Sequence, residues 1–168
     1  MNMQLVTVER RAPTTADSVP PKHHGMWSST SSWTSTTIES QRSATVQAHQ
    51  RAGGMMCSDD VLRLLRQRSQ QPISVLARWI VAQEVVCVEW QSQWLLPRWQ
   101  FDFADMSIRP EVARVLVELA GTFDNWELAH WFVAPSVWLD GGKPLESLAI
   151  DPLAVLAAAR ADRFIARG

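Results

Sequence analysis

Hydrophobic residues are distributed unevenly along the chain. Up to about residue 54 they follow neither a helical nor a strand period, and "TTADSVPPKHHG" and "WSSTSSWTSTTIES" are rich in Ser, Thr and Pro. Such a stretch buries too little apolar surface to offset the entropy of ordering, so residues 1–54 are expected to form a disordered Ser/Thr/Pro-rich tail. Folded sequence is expected to start at Met55-Met56, a pair that would also serve as a translational start.

Beyond the tail the pattern becomes periodic. "SDDVLRLLRQ" predicts a helix with Ser58 as N-cap, Asp59 and Asp60 in the first turn, where the dipole favours acids, and Val61, Leu64 and Leu65 inward. After a polar break, Pro72 opens a second helix with Ile73, Leu76, Ala77 and Ile80 at i, i+3, i+4 and i+7. The β-branched run in "VVCVEW" predicts a strand, Gln91-Ser92 a turn, and "QWLLP" the returning strand. Residues 55–96 therefore read as a small helix-turn-helix unit with a β-hairpin wing.

"PRWQFDF" follows as a connector, and Trp99, Phe101 and Phe103 are expected to pack the two halves together. Pro110 to Ala120 carries Val112, Val115, Leu116 and Leu119 on one face and stops at Gly121. Asp124 and Glu127 stand at capping-box spacing before "LAHWFVA", and Pro135 ends that helix. Asp140-Gly141-Gly142 marks a turn, Pro144 restarts a short helix, and Asp151-Pro152 supply the N-cap and first residue of a last helix to about Ala166. Residues 97–168 thus predict a compact bundle of short α-helices, and the fold class is mainly α.

Composition acts chiefly by exclusion. With 168 residues, 46% of them hydrophobic, and a formal net charge of -1, the chain lacks the basic excess of a typical nucleic-acid binder. Cys57 and Cys87 form neither a disulfide framework nor a CxxC zinc pattern and suit a reducing compartment. No apolar run approaches the roughly 20 residues of a membrane span, so a cytoplasmic protein is expected.

Catalytic constellations are thin. His23-His24 reads as a solvated pair, and Cys57, His49 and His130 have no spacing that predicts metal coordination. Asp102 and Asp105 beside the aromatic connector are accompanied by no nucleophile, phosphate loop or cofactor motif, and Asp102 reads as a turn residue. No enzyme, cofactor or metal is expected.

The order "LPRWQFD", an amphipathic helix, "WELAHWFVAPSVWLDGGKPLESL" and a closing alanine-rich helix resembles the toxin-binding domain of the Xre/MbcA/ParS-type antitoxins. The resemblance spans residues 95–168 and extends more weakly back to Met56; Ser136, Val137, Lys143 and Ser147 depart from the family's usual residues. It implies an antitoxin of a type II toxin-antitoxin pair that neutralises a neighbouring RES-domain, NAD-degrading toxin by covering its active site, in a homodimer or a toxin-antitoxin hetero-oligomer. The toxin-binding surface then comprises Trp138, Asp140, Lys143, Arg160, Arg163, Phe164 and Arg167. Trp138 suits the core as well as a contact. Late arginines often serve only the helix dipole, yet Arg is also the charge best suited to a desolvated interface.

The alternative is a DNA-binding transcriptional regulator whose C-terminal domain serves oligomerisation; an antitoxin could also repress its own operon in this way. Its contacts to operator DNA would be Arg63, Arg66, Arg68, Ser74 and Arg78. Residues 56–101 hold five Arg (63, 66, 68, 78 and 98) against four acids (59, 60, 84 and 89), an excess of one. That is a weak footprint for a duplex.

Overall fold

Val85, Val86, Cys87 and Val88 are all buried, and the two hydrophobic cores of the molecule meet along this run. In extended chain, successive side chains point to opposite sides. Val85 and Cys87 accordingly join Val61, Leu65, Leu76, Trp79 and Leu96. Val86 and Val88 join Val112, Leu116, Leu119, Leu128, Phe132 and Val155. Gln100, fully buried, closes the run on its open edge: its side-chain carbonyl accepts from Val86 N at 2.8 Å and its amide donates to Val86 O at 3.0 Å. One side chain thus satisfies the backbone groups that a neighbouring strand would otherwise pair.

The structure, a computed structural model, describes residues 29–168, with side chains from residue 35 onward. In chain order its main elements are α1 (Ser29–Arg51), β1 (Met55–Cys57), α2 (Ser58–Leu65), α3 (Pro72–Val81), β2 (Val88–Trp90) and β3 (Gln93–Pro97). After a 3-10 turn come β4 (Phe101–Asp102), β5 (Ser107–Ile108), α4 (Pro110–Leu119), α5 (Asn125–Val133), a second 3-10 turn (Val137–Leu139), α6 (Pro144–Ser147) and α7 (Pro152–Arg167). The fold is mainly helical, as the periodicity predicts. The strands form an antiparallel three-stranded sheet in the order β1-β3-β2 and a small β4-β5 hairpin. The β2-β3 hairpin turns at Gln91 and Ser92, both with positive φ (49° and 60°), the primed geometry that matches strand twist.

The expected disorder does not hold for Ser29–Arg51, which form α1. Its inward positions are polar, so no apolar period announces it, and tertiary contacts hold it instead. Thr45 and His49 are buried. His49 Nε2 donates to Ala129 O on α5 at 2.9 Å, while Trp99 Nε1 donates to His49 Nδ1 at 3.1 Å. These two bonds define a neutral imidazole protonated at Nε2. Burial lowers the His49 pKa to about 4, against a smaller opposing effect of the Ala129 carbonyl.

Three local expectations change. Cys57, not Ser58, is the N-cap of α2, and its thiol donates to Asp60 Oδ2 at 3.2 Å. In α3 the buried residues are Leu76 and Trp79, whereas Ile73 and Ala77 face outward; the large Trp79 indole, packed against Phe101, takes the inward position. In the connector, Trp99 packs on Phe132 at 4.5 Å between ring centroids and Phe101 enters the other core, so both join the halves. Phe103 does not: it is 43% exposed beneath the Arg98 guanidinium.

The local signals in the second half hold. Asp124 and Glu127 form a reciprocal capping box, and Asp151 caps α7 ahead of Pro152. Asp102 turns the connector by accepting from Ala104 N at 2.8 Å.

Candidate functional site

The segment between α5 and α6 folds back on itself. Ser136 N donates to Gly142 O at 2.9 Å, Gly141 N to Ser136 O at 2.9 Å, and Gly142 N to Leu139 O at 2.8 Å. Closing so tight a loop requires positive φ at Asp140 (53°) and Gly141 (81°). A Cβ at Gly142 would lie 3.0 Å from Leu139 O, which explains the second glycine. The loop presents Val137, 85% exposed, and Trp138, 47% exposed.

Asp162 of α7 fastens this loop. Its Oδ1 accepts from Trp138 Nε1 and its Oδ2 from Trp131 Nε1, each at 2.7 Å. A charged acceptor strengthens both bonds. Trp138 is among the expected contacts, whereas Asp162 is not, because the pairing spans 24 residues and no local pattern marks it.

The arginines of α7 are also engaged. Glu118 of α4 accepts from Arg160 Nε at 2.8 Å and lies 2.6 Å from Arg163 Nη1. The hydrogen bond from Arg160 and then the charge of Arg163 hold the Glu118 carboxyl below its usual range. Arg167 Nε donates to Thr122 Oγ1 at 3.1 Å, and Lys143 pairs with Glu146 at 2.8 Å. Arg160, Arg163 and Arg167 therefore tie α7 to α4 and the turn after it. Asp140 occupies the exposed turn.

What α7 leaves open is largely apolar. Leu153, Ala157, Arg160 and Phe164 fall at i, i+4, i+7 and i+11 on the face opposite its buried Val155, Ala158 and Ala159. Leu153 is 71% and Phe164 79% exposed, with Ile150 just before the helix also exposed. Of these, Phe164 and Arg160 belong to the expected toxin-binding set; the 11-residue spacing of Leu153 and Phe164 is the signal in the sequence for the rest.

The predicted DNA contacts are less coherent. Arg63 pairs with Asp60 at 2.6 Å, and Arg68 Nη2 donates to Ala104 O at 2.6 Å. Arg66, Ser74 and Arg78 are exposed. The open face of α3 also carries Ile73, Ala77 and Val81.

The possible reactive groups have structural settings. Cys87 is buried, which pushes its thiol up to about 12 and keeps it protonated. Among the described residues no group of three His, Cys, Asp or Glu is arranged to hold a metal ion, and His23 and His24 lie outside those residues. Among the described residues, likewise, no helix is long and apolar enough to cross a membrane. Comparison with models of known families, with curated proteins and with solved structures finds no match.

Proposed function

We propose that the chain is the antitoxin of a type II toxin-antitoxin pair, binding a RES-type NAD-degrading toxin and covering its active site through the C-terminal region. The observation that carries this reading is the open face of α7, where Leu153 and Phe164 stand exposed beside Arg160. Exposed large apolar side chains edged by arginine are the usual composition of a protein-binding hot spot. Trp138 and Val137 add a second apolar projection on the neighbouring loop. The motif resemblance over residues 95–168 names the class of partner.

The test is co-expression with a RES-type toxin encoded beside this chain, following growth and cellular NAD. Restored growth with preserved NAD supports the proposal. Continued NAD loss, with both proteins shown to be present, refutes it.

The regulator reading draws on the order of α2, a turn, α3 and a hairpin, which is what a helix-turn-helix with a wing requires. Against it stands α3 itself, whose outward Ile73, Ala77 and Val81 leave only Ser74 and Arg78 for bases or phosphates. Arg78→Ala should weaken operator binding and flatten its salt dependence if α3 meets DNA. Unchanged affinity would end that assignment.

A further inference from the structure

A cleft of about 440 Å³ lies between α1, α5, the Ser136–Gly142 loop and the end of α7. That is the size range of small-molecule sites. Its walls include Trp126, Trp131 and Trp138, and three carboxylates, Asp124, Glu127 and Asp162, are among its polar residues.

Among the described residues, none of these three carboxylates forms an ion pair with Lys or Arg. Their bonds inside the protein come from neutral N–H groups: two indoles for Asp162, and backbone amides for the capping box of Asp124 and Glu127. Among the described residues, their negative charge is met in the cleft by a single guanidinium, that of Arg42.

Arg42 itself indicates what these walls accept. Its guanidinium lies over the Trp126 ring, 5.0 Å from the centroid. Stacking of this kind is favoured by the negative face of the indole and strengthens as water is excluded. His130 also lines the cleft. Thr45 donates its hydroxyl to Gln41 O at 2.9 Å, and its oxygen lies 3.3 Å from His130 Nδ1.

We propose that this cleft is a binding site for a small organic cation with an apolar body, its charge facing Asp162 and its body against the indoles of Trp131 and Trp138. The site shares Val137 and Trp138 with the loop proposed to face the toxin, but not the open face of α7. Asp162 and Phe164 are two residues apart and so point roughly 200° apart around α7.

The probe is benzamidinium, with benzamide as its neutral isostere, titrated into the full chain by calorimetry. Benzamidinium is expected to bind at one site about tenfold more tightly than benzamide, because both share the aromatic contact and only one carries charge. Asp162→Asn should weaken benzamidinium about tenfold and leave benzamide unchanged, while Leu153→Ala should affect neither. Equal affinity of the two probes, or the absence of saturable binding, overturns the proposal on the wild-type chain without recourse to any variant. If N-acetyl-arginine methylamide binds about tenfold more tightly than benzamidinium, the occupant is a partner's basic side chain and the small-molecule assignment fails. Loss of toxin neutralisation in Leu153→Ala, with benzamidinium binding kept, would bear on the preceding proposal alone.

Discussion

Trp138 donates its indole N–H to Asp162 across 24 residues of sequence, at 2.7 Å, and so ties the loop before α6 to the last helix. Trp131 uses the other oxygen of the same carboxylate. Asp162→Ala removes the acceptor of both. Water can replace it at the half-exposed Trp138, but much less readily at the more buried Trp131, so a loss of about 2 kcal/mol is expected. Urea unfolding measures it, and a change below about 0.5 kcal/mol would mean that the bonds contribute nothing net.

His49 makes stability depend on pH. Its folded pKa is about 4 and the ordinary value is 6.5, so the unfolded chain binds the extra proton first as pH falls. This contribution is therefore constant above about pH 6.5, declines towards pH 4, and reaches a loss of about 3 kcal/mol below it. His49→Leu should be less stable at pH 7, because Trp99 N–H loses its acceptor, and should lack this part of the acid dependence. Denaturation curves at pH 7 and pH 4.5 compare the two; parallel pH profiles would refute the neutral, buried imidazole.

Gln100 closes the unpaired edge of the buried strip between the cores. Gln100→Leu keeps the volume but leaves Val86 N–H and C=O without that partner in a dry environment, and should cost about 2–4 kcal/mol. Amide exchange at Val86 should accelerate with the loss. Retained stability would show that another group takes over.

The open face of α7 can be tested without disturbing the core. Phe164→Asp should abolish toxin neutralisation while changing stability by less than about 0.5 kcal/mol, as an exposed position allows. Deleting residues 152–168 is a poorer test, since Val155 and Ala159 fill the core beside Val112 and Leu116. Neutralisation by a folded Phe164→Asp protein would move the interface elsewhere.

Helix α1 should behave as part of the fold. Amides from Arg42 to Arg51 should be protected from hydrogen exchange, and a chain starting at Met55 should be less stable by about 2–4 kcal/mol through lost burial and hydrogen bonds. Exchange at random-coil rates in that segment would restore the expectation of disorder.

The elements that could be read from the chain are those whose cause is local. The Asp124-Glu127 capping box, the Asp151-Pro152 start of α7, the Gln91-Ser92 turn and the inward stripe of α4 each depend on residues within a few positions of one another. Helix α1 was not legible, because its inward residues are polar and become satisfied only when Ala129 and Trp99 arrive from 80 and 50 residues away. The outward turn of Ile73 and Ala77 was hidden for a related reason: period alone cannot tell which face of α3 meets the core, and the bulk of Trp79 settles it. The same distinction governs the candidate site. Sequence pattern drew notice to Trp138 and the late arginines, but only packing decided that Arg160 and Arg163 turn to Glu118, that Asp162 holds two indoles, and that Leu153 and Phe164 remain open, because each depends on contacts that exist only after distant segments have met.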